Sequence, residues 1–224
     1  PGVSYRHLMV WRGGRDNFDT PPPHDLTGQS VQDHMLRSEE AMPLMQITNA
    51  AQLLFRRHPV NLKRESEGKL AANSIWLWGQ GRRPQMPTLQ EKFNLNGAVI
   101  SAVDLIKGIG IYAGLDVIDV PGATGYLDTN YLGKGEAALE ALKTRDFVYL
   151  HVEAPDEAGH SGSLTDKIEA IERFDEDVVG TVMNGLDALG EYRVLLLPYY
   201  SDYPQYITSY LLLVLYIYAH DKML

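Results

Sequence analysis

From about residue 97 onward, short apolar runs alternate with longer stretches of helical periodicity. The strand-like runs are GAVIS, DVIDV, DFVYLHV and YRVLLLP, and the helical stretches between them are AVDLIKGIGIYAG, KGEAALEALKT and SLTDKIEAIERFDEDVVGTVMNGLDALG. Such alternation is typical of strand–helix–strand units, whose strands form a mainly parallel sheet with helices on both faces. The sequence therefore predicts an α/β fold here, and ligand sites in such sheets lie at the carboxyl ends of the strands.

The first part of the chain has a less regular pattern. Residues 5–11 alternate like a strand, residues 39–57 have the apolar spacing of a helix, and ANSIWLWGQG reads as a short aromatic strand. The prolines of TPPPHD predict a loop, and the polar stretch HPVNLKRESEGK is predicted to be irregular. We therefore expect two parts, residues 1–96 and residues 97–224.

The amino-acid composition excludes several kinds of binding partner and of chemistry. The net charge of −9 argues against a general nucleic-acid surface, and the absence of cysteine excludes disulfides and thiol catalysis. The longest apolar run, YLLLVLYIYA, is too short to span a bilayer. We expect a cytoplasmic protein that binds neither nucleic acid nor membrane. The sequence does not indicate an oligomeric state.

A cluster of acidic residues and histidines, HVEAPDEAGHSG, follows one of the predicted strands. Within it Asp156 and His160 combine a hard carboxylate with an imidazole, a pair that suits Mn, Zn or Fe better than Mg. The same residues also fit a structural role, in which acidic side chains favour the start of the next helix. The loops at 121–131, 152–162 and 198–210 all follow strands, so one site could draw on all three.

Four basic residues are candidates for binding an anion. Arg6, His7 and Arg64 lie in the first part of the chain, and arginine suits bidentate contact with carboxylate or phosphate. Lys107 lies inside an otherwise apolar helical pattern. The alternative is a solvated arginine, or a lysine whose stem lies along apolar surface while its amine reaches water.

Seven blocks of sequence, in order, resemble one enzyme family. They are GVSYRHLMVW, PPHDLTGQ, HPVN, IWLWGQG, ISAVDLIKGIG, VPGATGYLDTNYLGK and HVEAPDEAGH. This set resembles the archaeal-type, cofactor-independent phosphoglycerate mutases, and most closely their bacterial branch, also labelled "proposed homoserine kinase". The resemblance runs from residue 1 to about Pro198. It implies an alkaline-phosphatase-like α/β domain interrupted by an inserted α+β domain. Residues 1–96 would be the inserted, substrate-binding domain and its return segment, and 97–224 the C-terminal part of the metal-binding domain.

The resemblance also implies a reaction. In the family two divalent metal ions, Mn or Mg and sometimes Zn or Co, activate a serine that takes the phosphoryl group from 3-phosphoglycerate and returns it to the other hydroxyl. By this resemblance Asp156 and His160 match two ligands of one metal. Arg6, His7 and Arg64 match basic positions that face the phosphate or carboxylate of the substrate, and Lys107 is a candidate charge near the transferring group.

The chain departs from the family pattern at both ends. Tyr199, Tyr200 and Ser209 stand where the family has further metal ligands, and they are poor ligands for such metals. The resemblance implies that the nucleophilic serine and a metal-binding aspartate belong to a segment before residue 1, so we assign no residue of this chain as the nucleophile. Three interpretations remain: an incomplete sequence of an ordinary mutase, which we favour, a true fragment, or an inactive paralogue that binds a metabolite or partner. Another phosphoryl transfer, such as that of the proposed homoserine kinase, ranks lower because no GxxxxGK[ST] loop is present.

Overall fold

The computed structural model describes residues 2, 7–26, 28–199 and 212–219. The chain divides into two compact units, residues 1–83 and residues 84–224. The boundary predicted after residue 96 lies inside the second unit. The interpretation of residues 1–96 as an inserted domain and its return stays a prediction.

The first unit contains the helices α1 (Met42–Phe55) and α2 (Pro59–Ser66), preceded by three short 3-10 helices, Pro23–Leu26, Val31–His34 and Glu39–Ala41. Helix α1 confirms the helix predicted within residues 39–57. Helix α2 shows that the prediction of an irregular stretch there was wrong. Its start has two local causes: Pro59 has no N–H to leave unpaired, and the side chain of His58 accepts a hydrogen bond from the N–H of Val60 at 3.3 Å.

Neither strand predicted in the first unit forms within its described part. Residues 7–11 and 72–81 have no strand assignment. At the start of the second stretch, both backbone groups of Ala72 bond to the side chain of Asn61, at 2.7 and 3.0 Å. Further along, the indole of Trp76 donates to the carbonyl of Pro21 at 2.9 Å. Side-chain bonds of this kind replace the backbone ladder that a strand requires.

The second unit is built on a five-stranded sheet. Its strands are β1 (Gly97–Ile100), β2 (Asp116–Ile118), β3 (Phe147–Val152), β4 (Tyr192–Tyr199) and β5 (Leu212–Ala219), in the order β2-β1-β3-β5-β4. Strand β1 pairs in parallel with β2 and β3, whereas β5 is antiparallel to both β3 and β4. The α/β class and the four predicted strands are confirmed. Strand β5 was not predicted, because a continuous apolar run does not distinguish a strand from a buried helix.

Helices of the second unit cover both faces of the sheet. They are α3 (Leu89–Phe93), α4 (Asp104–Tyr112), α5 (Tyr131–Leu142), α6 (Ala154–His160), α7 (Leu164–Arg173) and α8 (Thr181–Leu186), with a π-helical segment at Phe174–Gly180 and a 3-10 turn at Asp187–Leu189. On β1, Ala98 and Ile100 belong to the core that includes α5 and α8, whereas Val99 faces Gly110 of α4. Because side chains alternate along a strand, these contacts place helices on opposite faces.

The long helix predicted over residues 163–190 forms as a continuous but non-uniform helical run. Its buried positions, Phe174, Val178, Val182 and Leu186, recur every four residues and face the core. Within the described residues, no helix is both long and apolar enough to cross a bilayer.

Candidate functional site

The candidate site lies where β3 ends and α6 begins. Asp156 and His160 are one turn apart on α6, so they share a face of the helix. The Oδ2 atom of Asp156 lies 3.4 Å from Nε2 of His160, and the two side chains are 15% and 38% exposed. The structure therefore brings the two predicted metal ligands together at the carboxyl end of a parallel strand.

The surroundings of Asp156 disfavour its negative charge. Burial raises the pKa of its carboxyl group, and the nearby charge of Glu153 raises it further, while His160 and Lys167 act in the opposite direction. Burial also lowers the pKa of Lys167, against the attraction of Asp156. For Asp156 and Lys167, the loss of hydration on burial therefore affects the pKa more than the attraction between their opposite charges does.

A buried polar network adjoins the start of α6. The backbone N–H of Val103 donates to Oγ of Ser101 at 3.0 Å, and Oγ lies 3.1 Å from Nδ1 of His151. On the other side of the ring, Nε2 lies 3.1 Å from Oε2 of Glu153. This is ion-pair distance, although the geometry falls short of a regular hydrogen bond. The network joins the carboxyl ends of β1 and β3 to the start of α6.

A lysine that the sequence analysis did not select lies beside this network. Lys134 of α5 is fully buried, and its Nζ lies 3.5 Å from the carbonyl oxygen of His151. Burial lowers its pKa to about 8, although the charge of Glu153 opposes the shift. By contrast Lys107, the predicted candidate, forms a 2.6 Å ion pair with Asp119. The role of Lys107 near a phosphoryl group stays a prediction.

The loop between β2 and α5 approaches the same corner. A Cβ atom added at Gly125 would lie 3.9 Å from the Cβ and Cγ atoms of Glu153, so the loops at 121–131 and 152–162 converge as expected. Arg173 of α7 holds this loop, because it donates to the carbonyl of Leu127 at 3.0 Å and lies 4.5 Å from the ring centre of Tyr131. The third predicted loop, 198–210, lies almost entirely outside the described residues.

The basic residues predicted to bind substrate belong to the first unit. Arg6 lies outside the described residues. The Nδ1 atom of His7 accepts a hydrogen bond from the N–H of Gly2 at 3.0 Å, and Nε of Arg64 donates to the carbonyl of Leu70 at 2.8 Å. These bonds are local and the side chains are exposed, so substrate binding by these residues stays a prediction.

The described residues do not complete a metal site. Across them, no group of three or more His, Asp or Glu side chains is arranged to hold an ion. Asp156 and His160 have suitable donor chemistry, but two donors are fewer than the three or four protein ligands that hold zinc or the six or more oxygens that hold calcium. Of the three positions where the family resemblance predicts further metal ligands, Tyr200 and Ser209 lie outside the described residues.

Comparison with known proteins gives one family. A family model described as "Metalloenzyme superfamily" matches residues 26–197. A probable 2,3-bisphosphoglycerate-independent phosphoglycerate mutase of Geobacter sulfurreducens is 57% identical over 91% of the chain, and a 2,3-bisphosphoglycerate-independent phosphoglycerate mutase of Methanosarcina acetivorans is 54% identical over 91%. The chain covers 50% and 51% of these two proteins, so it spans about half the length of the curated relatives that it matches. Among solved structures, the PH0037 protein from Pyrococcus horikoshii matches with a TM-score of 0.61 and 30% identity, over 80% of this chain and 47% of that one.

Proposed function

Because the chain belongs to the Metalloenzyme superfamily, we propose that it carries part of the active site of a cofactor-independent phosphoglycerate mutase. In this proposal the protein interconverts 3-phosphoglycerate and 2-phosphoglycerate through a phosphoserine enzyme, and it acts in glycolysis and gluconeogenesis in the cytoplasm. The proposal is supported by the names of the relatives and by the high identity to them over most of the chain.

The single observation that carries the proposal is the Asp156–His160 pair. It lies inside the region that the family model matches, at the edge of the sheet where parallel α/β proteins bind their ligands. A carboxylate and an imidazole on one helical face, 3.4 Å apart, can serve a single divalent ion together.

We further propose that the enzyme uses two divalent ions, Mn or Mg, with Zn and Co as alternatives. Bound metal would polarise the phosphoryl group and stabilise its developing charge. Since the described residues supply only two donors, we assign no reaction step to the metals. Arg6, His7 and Arg64 are proposed to bind the anionic groups of the substrate, and Lys107 stays a candidate.

The direct test is a mutase assay with 3-phosphoglycerate and Mn, with formation of 2-phosphoglycerate as the readout. In the full-length protein we expect Asp156→Ala and His160→Ala to abolish activity while circular dichroism shows an intact fold. The matched control is Asp175→Ala, which removes an exposed carboxylate from the long helical run and should leave activity unchanged. If either site variant keeps most of the wild-type activity, the ligand roles are wrong.

Metal content separates the proposal from its rivals. A mutase should retain two metals per active site, whereas an inactive paralogue with only Asp156 and His160 should hold none tightly. Transfer of phosphate from ATP to homoserine, without mutase activity, would support the alternative phosphoryl transfer instead.

A further inference from the structure

Helix α6 begins in an unusual way. Glu153 precedes α6 in the N-cap position, yet its side chain makes no capping hydrogen bond. Its backbone carbonyl accepts bonds from the N–H groups of Asp156 and Glu157, at 2.8 and 3.1 Å. An Asp, Asn, Ser or Thr side chain in this position usually accepts an N–H of the first turn, which stabilises the helix. Here the carboxylate instead lies against the ring of His151.

The ring of His151 connects two polar groups and is completely buried. The hydroxyl of Ser101 already accepts the N–H of Val103, and its own proton can be donated to Nδ1 at 3.1 Å. Nδ1 is then the unprotonated ring nitrogen, and Nε2 carries the proton that faces Glu153. In this tautomer the hydroxyl proton has an acceptor in the ring, and the protonated Nε2 lies at ion-pair distance, 3.1 Å, from Oε2 of Glu153.

A serine beside a histidine and a carboxylate also suggests nucleophilic catalysis, but the geometry argues against that function. Ser101 is only 3% exposed, so its Oγ is closed to a substrate. The ring of His151, which is fully buried, lies between the serine hydroxyl and the carboxylate of Glu153, and Nζ of Lys134 lies 3.5 Å from the carbonyl oxygen of the same histidine. The contacts of Ser101, His151 and Glu153 therefore indicate a structural role, in which each side chain fixes the orientation of the next.

We infer that Ser101 and His151 are positioning residues, which fix the carboxylate of Glu153 at the start of α6 and thereby set the orientation of Asp156 and His160. The significance of this role rests on the proposed function of that pair. The mechanical link is short, because Glu153 supplies the carbonyl that accepts the first hydrogen bonds of α6.

The first test is the tautomer of His151, which is measured in the wild-type protein so that the network itself is unaltered. Long-range proton–nitrogen correlation spectra of the ¹⁵N-labelled chain distinguish protonated from unprotonated ring nitrogens, and His151→Gln assigns the signal. We expect a protonated Nε2 and an unprotonated Nδ1. A proton on Nδ1 would overturn the inference, since the serine would then have no acceptor in the ring.

The second test asks whether the network reaches the candidate site. Ser101→Ala should leave His151 as a mixture of tautomers and shift the ring signals of His160, and Ser101→Thr should restore both by restoring the hydroxyl. The control is Thr88→Ala, which removes a hydroxyl that caps α3 away from the network. It should leave the His160 signals unchanged. If Ser101→Ala also leaves them unchanged, the network is merely structural and the inference fails.

Kinetics then separate this inference from the proposed function. In an active protein, Ser101→Ala should lower kcat roughly tenfold, the lower end of the effect that outer-shell partners have on such sites, with a smaller effect on KM. If the wild-type protein has no mutase activity while both spectroscopic results hold, the proposed function fails and the positioning role stands. If activity is present and Ser101→Ala does not alter kcat, the positioning role fails alone.

Discussion

Replacing the buried Lys134 by methionine tests how much the burial of its charge reduces the stability of the fold. Burial lowers the pKa of this lysine from 10.5 to about 8, so the folded state binds the proton less tightly than the unfolded chain does. At 1.36 kcal/mol for each pKa unit, this gap corresponds to roughly 3 kcal/mol of folding free energy. Methionine has a similar length and no charge, so Lys134→Met should remove the cost without leaving a large cavity.

The sign of the pH dependence follows from the lowered pKa. Below about pH 8, Lys134 carries a proton in both states, and the cost of burying its charge is present in full. Between about pH 8 and 10.5 the folded state loses the proton while the unfolded chain keeps it, so the free energy of unfolding rises with pH. Lys134→Met should therefore be more stable than the wild type at pH 7, and the difference should shrink towards pH 10.

Urea unfolding at several values between pH 7 and 10, followed by circular dichroism, measures this difference directly. The control is Lys143→Met, which removes an exposed lysine that pairs with Glu140 on the surface of the second unit and should keep the wild-type pH dependence. If the free energies of unfolding of the wild type and of Lys134→Met differ by the same amount at pH 7 and at pH 10, the argument is refuted. Loss of the proposed activity in Lys134→Met, despite a higher stability, would connect the buried charge to function.

Three further substitutions test the packing and the helix capping of the second unit. A Cβ atom at Gly110 would lie 2.5 Å from Cγ1 of Val99, whereas one at Gly108 of the same helix has open space. We expect Gly108→Ala, the control, to stabilise the protein by about 0.5–1 kcal/mol in urea unfolding. Gly110→Ala should be about 1–3 kcal/mol less stable than this control, because its new Cβ atom would collide with Val99. Equal stabilities of the two variants would contradict the close packing at Gly110. Thr88→Ala breaks a reciprocal cap with Glu91 and should cost about 1 kcal/mol in the same assay, and a neutral result would mean that the cap contributes nothing measurable.

The sequence predicted those elements whose pattern is regular. Strands β1 to β4 and helices α1, α4 and α5 followed from periodicity, and Gly114, with a φ of 79°, ends α4 as expected. Helix α2 was missed because it has almost no apolar stripe and begins at an unusual cap, His58. The strands expected in the first unit failed because alternation alone does not supply a hydrogen-bonding partner.

The contacts of the candidate site that join residues close in sequence were predictable. The spacing of four between Asp156 and His160 was enough to place them together, whereas the bond between Ser101 and His151 joins residues fifty positions apart. Lys134 did have a signal: with Tyr131, Ala138 and Leu142 it falls on the buried face of α5. A lysine at an apolar position of a helix was therefore the feature that sequence reasoning should have selected.

The charges around the start of α6 argue that this corner is more than a structural ion-pair network. In a mutually satisfied network, the pKa of the carboxyl group falls and the pKa values of the lysines rise. Here burial raises the pKa of Asp156 and lowers those of Lys134 and Lys167, so desolvation dominates for charges of both signs. Perturbed pKa values of this kind, at the carboxyl ends of parallel strands, are typical of functional sites and agree with the proposed role of this corner.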